Sequence, residues 1–371
     1  MDRREIERLL TAIDAAVASD ETVALATIVR VRGNAYRREG TRMVVRQDGT
    51  CECALSGGCL EPAVADAAQL VLASGDPRVI HYDLADDSLW GLNIGCSGAV
   101  DILIERVERD DPITQAWLAS LRRGERSVLL TSLAGISGRR LVPLSGAPIG
   151  HLSDERAERA AEAAAHDLFD APHPCSRIEQ IGSAEVFCDI AVPPPHLVIF
   201  GGGFDAVPLS AQAWSLGFAV TVIDPRGAFL TADRFPPATL ISAQPSDPSA
   251  RAALVDGCFA VVMNHHLERD KWALHTSLES TAAYVGVLGP RSRFDRLLRA
   301  LTDRGFEPSA ASLARVRSPV GLALGAETPD EVAASILGEI VAIRRGFHGG
   351  FLSGSVDSLH QPVDRRVLAR S

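Results

Sequence analysis

The stretch Leu197-Val198-Ile199-Phe200-Gly201-Gly202-Gly203-Phe204-Asp205-Ala206 decides the fold of the second half of this 371-residue chain. Its four leading apolar residues predict a buried strand, and the G-x-G-x-x-A pattern that follows predicts a tight turn into a helix. Gly201 permits the turn, and Gly203 lets a backbone approach a diphosphate at the helix N-terminus. The stretch therefore predicts a Rossmann-type nucleotide-binding domain.

The residues after this stretch alternate between strand and helix patterns, which predicts a doubly wound parallel sheet with helices on both faces over residues 196–346. Strands are predicted at 196–200, 219–224, 239–242, 259–264 and 282–287. Helices are predicted at 205–216, 249–255, 268–279, 291–303 and 329–344. The tail 347–371 is predicted to be irregular.

Two polar positions follow strands of this predicted sheet. Asp224 ends the second strand, where it is placed to accept from a ribose hydroxyl, and His265 follows a later strand at the ligand-binding edge. No His–Asp relay is evident near the strand ends. Asp205 at the helix start would repel phosphate, and Arg226 closely follows Asp224. A Rossmann scaffold with a modified or empty dinucleotide site is therefore the alternative.

The first half predicts a mixed α/β domain over residues 1–192, separated from the second by Pro193-Pro194-Pro195. Its core, 20–108, is better defined than its extension, 110–192. The predicted helices are 4–19, 63–73, 112–123 and 154–169, and the predicted strands are 23–31, 42–46, 50–55, 79–82, 100–107, 126–133 and 140–144.

Cysteines next to glycines are the chemical candidates of the first half. Cys59 follows Gly57-Gly58 at the start of a helix, where the N-terminus favours a thiolate, and Cys96 follows Gly95 in a second loop. Packing as small apolar side chains is the alternative for both. Cys51 and Cys53 are predicted to share one face of a strand, which favours packing over zinc because no second pair appears.

Arg37 and Arg38 lie in a glycine-bounded loop and could hold an anion, although a solvated loop explains them equally well. The net charge of −10 argues against a nucleic-acid surface. No apolar run approaches the roughly 20 residues of a membrane span, and the N-terminus has no apolar signal region. Together with an odd number of cysteines, seven, these features predict a cytoplasmic protein without structural disulfides.

These motifs, in this order, resemble the xanthine dehydrogenase accessory (XdhC/CoxI) family. The matching segments of the first half are Tyr36-Arg37-Arg38 to Gly40, Ser56-Gly57-Gly58-Cys59-Leu60-Glu61, and Trp90-Gly91 through Gly95-Cys96-Ser97-Gly98. Those of the second half are Phe200 to Ala206, Val222-Ile223-Asp224-Pro225-Arg226, Tyr284 to Gly289, and Pro319-Val320-Gly321-Leu322 to Pro329.

The resemblance implies a chaperone that binds molybdenum cofactor, as molybdopterin or its cytosine dinucleotide form, and inserts it into an apo-molybdoenzyme of the xanthine dehydrogenase or CO dehydrogenase type. It implies that Cys59 contacts the cofactor, including its molybdenum. The cofactor-binding candidates are Arg37, Arg38, Gly57, Gly58, Cys59, Gly95, Cys96, Gly201, Gly203, Asp205, Asp224 and His265. A cysteine desulfurase and a second copy of the chain are the other expected partners.

Two functions of other classes stay open beside an accessory protein. One is an NAD(P)-dependent oxidoreductase whose first domain binds substrate. The other is a thiol redox or sulfur-transfer protein that uses Cys59 and Cys96 as its catalytic residues.

Overall fold

The computed structural model describes residues 1–33, 35–84 and 98–353. The chain divides into two compact units, Met1–Pro193 (unit 1) and Pro194–Ser371 (unit 2). This division falls within the three consecutive prolines at which the sequence changes pattern. No helix of the described part is long and apolar enough to cross a lipid bilayer.

The described residues of unit 1 form two antiparallel five-stranded sheets and four helices. The first sheet has the order β3-β2-β1-β5-β4, and the second β8-β7-β6-β10-β9. The strands of the first sheet are β1 (Ala24–Gly33), β2 (Arg42–Val45), β3 (Cys51–Glu52), β4 (Arg78–Asp83) and β5 (Gly98–Arg106). Those of the second are β6 (Ser127–Ala134), β7 (Gly138–Pro143), β8 (Ile149–Leu152), β9 (Arg177–Ile181) and β10 (Ala184–Ala191). The helices are α1 (Arg3–Ala18), α2 (Glu61–Ser74), α3 (Pro112–Arg123) and α4 (Glu155–Asp170).

The helices of unit 1 cover the sheets with their apolar sides. Helix α2 buries Val64, Ala68 and Val71 against the first sheet, and α4 buries alanines and Leu168 against the second. Helices α1 and α3 share a core with residues of both sheets, including Val44 and Leu129. The second sheet is therefore part of the same packed body as the first.

The prediction that Cys51 and Cys53 share one face of a strand is wrong. Strand β3 ends at Glu52, and Cys53 takes a left-handed backbone with φ +66°. Cys51 packs in the core beneath α2, whereas Cys53 packs with α1 and its thiol faces the carbonyl of Glu5. The left-handed residue reverses the direction of the side chain, which strand alternation alone cannot anticipate.

Unit 2 is the predicted doubly wound sheet, with all its strands parallel and the order β13-β12-β11-β14-β15-β16. The strands are β11 (His196–Phe200), β12 (Ala219–Ile223), β13 (Thr239–Ile241), β14 (Phe259–Val262), β15 (Tyr284–Val287) and β16 (Val316–Arg317). The helices are α5 (Ala206–Ser215), α6 (Pro248–Ala253), α7 (Leu267–Glu279), α8 (Arg291–Thr302), α9 (Ala310–Ala314) and α10 (Pro329–Arg345), with a 3-10 turn at Gly227–Phe229.

Separate apolar cores on the two faces of this sheet confirm the layered architecture. Sequence order reverses between β11 and β14, so the crevice at the carboxyl ends of these two strands is where such sheets bind ligands. The glycine turn follows β11 directly.

Candidate functional site

A cavity of about 290 Å³ opens between the first sheet and the start of α2 in unit 1. Its buried wall is apolar and consists of Ile28, Ala35, Leu55, Leu60, Leu84 and Val100. Its other lining residues are Tyr36, Arg37, Ser56, Gly57 and Cys59. The cavity thus brings Arg37 together with Gly57 and Cys59, which belong to a separately predicted turn.

The hydroxyl of Ser56 holds the turn that carries Cys59. Its oxygen accepts from the backbone N–H groups of Gly58, Cys59 and Leu60 at 3.2, 3.1 and 3.1 Å. The Cys59 thiol lies 3.3 Å from the same oxygen. The Ser56 hydroxyl therefore fixes the backbone of the turn that leads into α2.

Glu61, the first residue of α2, completes this turn from the other side. It accepts from the N–H groups of Leu55 and Ser56 at 3.0 and 2.7 Å, and from the Ser56 hydroxyl at 2.5 Å. Burial opposes the charge of Glu61, but these hydrogen bonds outweigh it and hold the pKa of the carboxyl below its ordinary value. The half-buried Cys59 therefore sits on a turn fixed by an ionised carboxylate.

Arg37 faces the cavity beside Tyr36, whose ring centroid lies 5.9 Å from the guanidinium carbon. Its guanidinium forms an ion pair with Glu5 of α1. Burial opposes the charge of Glu5, yet the Asp2 N–H and the Arg37 charge hold its pKa below the ordinary value. The Arg37 Nε is buried and has no hydrogen-bond partner in the described part of the chain. Arg38 is half-buried, and the cavity lining does not include it.

The loop of Arg37 ends at Gly40, which the second sheet holds in place. Gly40 has φ +83°, and a Cβ there would lie 2.8 Å from the Ser176 Oγ and 3.0 Å from the Asp189 Oδ1. Arg42 donates to the Gly40 carbonyl at 3.1 Å and forms a buried ion pair with Asp189. The extension of unit 1 therefore positions one side of the cavity.

Gly95 and Cys96 lie outside the described residues, so their predicted contacts with cofactor stay predictions. The described residues on either side of them, Leu84 and Gly98, are adjacent to each other, because the Leu84 N–H donates to the Gly98 carbonyl at 2.8 Å. Leu84 itself lines the cavity.

The other described cysteines have different surroundings. Burial raises the pKa of Cys188 to about 12 and that of Cys258 to about 11, and it also raises the pKa values of Cys51 and Cys53. Cys175 is exposed. Within the described ranges, no group of three or more His, Cys, Asp and Glu side chains could hold a metal ion.

In unit 2, the glycine turn approaches the end of β14 closely. Gly201 has φ +118°, and a Cβ there would lie 2.6 Å from the Met263 carbonyl oxygen. Only glycine fits this position without a shift of backbone. The space beside Gly203 is open, since a Cβ there would meet nothing nearer than the His265 Cδ2 at 4.0 Å.

Asp224 lies at the end of β12, as predicted, with its carboxylate fully buried. Its oxygens accept from the Gly202 N–H at 2.9 Å and from the backbone and guanidinium of Arg226 at 2.7–2.9 Å. These hydrogen bonds overcome the burial that opposes its charge, so the pKa of Asp224 is below its ordinary value.

The expectation that no His–Asp relay lies near the strand ends is wrong. The His265 Nε2 lies 2.9 Å from the Asp205 Oδ2, across the crevice between the ends of β11 and β14. The two residues are 60 positions apart, and His265 has a left-handed backbone with φ +55°. Both side chains are partly exposed, so the pair faces solvent at the switch point of the sheet.

Ser56, Glu61 and Arg234 are the residues at these sites that the sequence did not single out. Ser56 and Glu61 are the ends of a segment that carries the family resemblance, and this is the one signal they left, since the N-cap of α2 is Leu60 and makes no side-chain cap hydrogen bond. Arg234 left none. It donates to the carbonyls of Gly202 and Gly203, more than 30 positions away, at 2.9 and 3.1 Å.

Comparison with known proteins places the chain in a family. A model described as the XdhC and CoxI family matches residues 16–83, and one described as the XdhC Rossmann domain matches residues 197–340. The chain belongs to the XdhC and CoxI family, which confirms the resemblance found in the sequence.

Three proteins illustrate the relationship. The chain is 32% identical to a protein of Bacillus subtilis (strain 168) named as a probable subunit of xanthine dehydrogenase, over 90% of this chain and 97% of that protein. It is 26% identical to the "Molybdenum cofactor insertion chaperone PaoD" of Escherichia coli (strain K12), over 89% of this chain and 86% of that protein. A crystal structure described as a xanthine dehydrogenase from Bacillus halodurans matches with a TM-score of 0.74 and 29% identity, covering 95% of this chain and 98% of the other.

Proposed function

We propose that this chain is an accessory protein that binds molybdenum cofactor in the cavity of unit 1 and delivers it to an apo-molybdoenzyme. One observation carries the proposal: the cavity brings Arg37 and Gly57 together with Cys59, which the family resemblance implies as the contact of the cofactor. Two relatives support it, one named a molybdenum cofactor insertion chaperone and the other a probable component of xanthine dehydrogenase.

The side chains of the cavity suit such a cargo. The Cys59 thiol, as thiolate, is a soft ligand for molybdenum. Arg37 lines the cavity and supplies a guanidinium for the cofactor phosphate. The apolar wall behind them offers surface for a planar ring system. Delivery then requires only that the partner enzyme bind the cofactor more tightly than this cavity does.

The finer features of this function are proposed on the family resemblance. They are an apo-enzyme of the xanthine dehydrogenase or CO dehydrogenase type, exchange with a cysteine desulfurase, a homodimer, and a location in the cytoplasm. Arg38, Gly58, Gly95 and Cys96 are further proposed contacts of the cofactor.

Anaerobic reconstitution tests the proposal. The full chain is incubated with molybdenum cofactor and desalted, and molybdenum and the fluorescence of the oxidised pterin are measured per chain. The wild type and Cys175→Ala, which changes an exposed cysteine of the same unit, should retain both in comparable amounts. Cys59→Ala should retain neither while it folds normally. Full retention by Cys59→Ala, or none by the wild type, would overturn the proposal.

The pair of His265 and Asp205 favours one alternative, since a histidine held by a carboxylate at the carboxyl edge of the sheet can transfer a proton. An oxidoreductase that uses this pair would oxidise or reduce NAD(P) at about 1–1,000 per second, a rate that absorbance detects readily. Sulfur transfer by Cys59 would instead appear in the mass spectrum as one added sulfur atom that Cys59→Ala lacks.

A further inference from the structure

The Asp224 carboxylate, which the sequence placed as the acceptor for a ribose, is already engaged by the protein. It accepts four hydrogen bonds, from the Gly202 N–H and from the N–H, Nε and Nη2 of Arg226, and it is fully buried. A ribose diol would have to displace the Arg226 guanidinium and leave a charge unpaired. Replacing a charge-assisted, two-point contact by neutral hydroxyls is unfavourable.

Gly202, in the middle of the glycine turn, is covered as well. Its N–H points to Asp224 instead of outward. A Cβ at this position would lie 3.2 Å from the Leu230 Cδ2 and 3.5 Å from the Phe229 Cβ. The segment that follows Arg226 therefore packs directly over Gly202.

Two arginines fasten this segment to the turn. The Arg234 guanidinium donates to the carbonyls of Gly202, Gly203 and Phe229 at 2.9, 3.1 and 2.5 Å. The guanidinium carbon of Arg226 lies 4.1 Å from the Phe229 ring centroid, and that of Arg234 lies 5.3 Å from it. Both cations thus lie within reach of the Phe229 ring, a favourable arrangement when the cations are partly shielded from water.

We propose that the glycine turn of unit 2 is a structural latch, closed by Asp224, Arg226 and Arg234, and does not bind a dinucleotide. NAD(P), which the fold implies, does not fit these residues, because Asp224, the acceptor for its ribose, is used internally, even though Gly203, the glycine predicted to face its diphosphate, is open. The same closure applies to a cytidine nucleotide approaching through the turn. The open part of the edge lies toward β14, beside Gly203 and His265.

The test combines ligand binding with stability. NADH, NADPH and cytidine diphosphate are titrated into the full wild-type chain by calorimetry, up to about 1 mM, the concentration at which even a weak site is half filled. Thermal unfolding is then compared for the wild type, Asp224→Asn, and Asp233→Asn. Asp233 is a matched control because it is an exposed aspartate of the covering segment.

We expect no saturable binding by the wild type, and a Tm of Asp224→Asn about 5 °C lower, with Asp233→Asn unchanged. The latch would be overturned if any of the three probes bound the wild type saturably and the Asp224→Asn substitution weakened that binding tenfold or more. An unchanged Tm for Asp224→Asn would overturn it too, because the carboxylate would then have no structural task. Neither result depends on Cys59, so failure here is separable from failure of cofactor retention in unit 1.

Discussion

The buried ion pair of Arg42 and Asp189 offers a sharp test of how unit 1 holds its cavity. Arg42 belongs to the first sheet and Asp189 to the second, and they are 7% and 5% exposed. Asp189 also accepts from the Ser176 hydroxyl at 2.7 Å, and Arg42 donates to the Gly40 carbonyl. Replacing Asp189 by alanine removes the carboxylate and leaves the buried guanidinium without the ion pair, so that only the more distant charge of Glu105 still favours it.

The expected loss of stability follows from the burial of the guanidinium after its ion pair has been removed. Removing one partner of a buried ion pair costs about 3–5 kcal/mol, chiefly because the remaining charge is desolvated and uncompensated. A unit of roughly this size loses about 2–4 °C of Tm for each kcal/mol. Asp189→Ala should therefore unfold about 10 °C below the wild type.

Urea and thermal unfolding of the full chain measure this loss. Asp14→Ala is the control, because Asp14 pairs with Arg122 on the surface, where both side chains are about half exposed. It should change stability by less than about 1 kcal/mol. Arg42→Met combined with Asp189→Ala removes both charges and should recover about 1–3 kcal/mol relative to Asp189→Ala alone.

A loss below about 1 kcal/mol for Asp189→Ala would refute the reasoning, since a buried guanidinium that has lost its ion-pair partner should destabilise the fold by more than this. Failure of the double variant to recover stability would show that lost packing, and not charge, sets the cost. Retention of molybdenum cofactor should fall with Asp189→Ala even where the chain is folded, because Gly40 closes the loop that carries Arg37.

The other predictions concern Glu61 and Lys271. The pKa of Glu61 is lowered by folding, so its contribution to stability is fully present above the ordinary value of 4.5 and is lost as the pH falls through the lower, folded value. The stability difference between wild type and Glu61→Gln should be constant from pH 7 to 5 and shrink below 4.5; a difference that grows in acid would contradict this. Lys271, the single lysine of the chain, is 1% exposed and bonded to Glu268, so an acylating reagent should modify it only in the unfolded state. Rapid acylation of the native protein, followed by peptide mass spectrometry, would count against its burial.

The sequence predicted unit 2 more completely than unit 1 because strands and helices alternate there with short connections. The helix predicted at 268–279, for example, is Leu267–Glu279. In unit 1, the hairpin of β9 and β10 was not predicted. Strand β9 is at most half-buried and carries Arg177 and Glu179, so its pattern resembles a loop. Its strand character comes from pairing with β10, which is a tertiary contact.

Some residues of the candidate site could likewise be predicted from the sequence, and others could not. The turn of Gly57 to Cys59 was predictable because its glycines, its cysteine and the helix after it are adjacent in sequence. The partner of Arg37 was not, since Glu5 lies 32 positions earlier. The anchoring of Gly40 by Asp189 depends on a sheet that periodicity only partly revealed.

The glycine turn shows why a motif predicts a fold more firmly than a ligand. A glycine is required at position 201 because the backbone there lies against the end of β14, and this holds whether or not a nucleotide binds. Binding depends instead on free donors and acceptors, and Arg226, two positions after Asp224, removes the acceptor. A carboxylate at the end of the second strand therefore indicates a ribose site only when no cation within reach neutralises it. On this argument the thiol of Cys59 and the guanidinium of Arg37, rather than the glycine turn, are where the cargo of this family member should be sought.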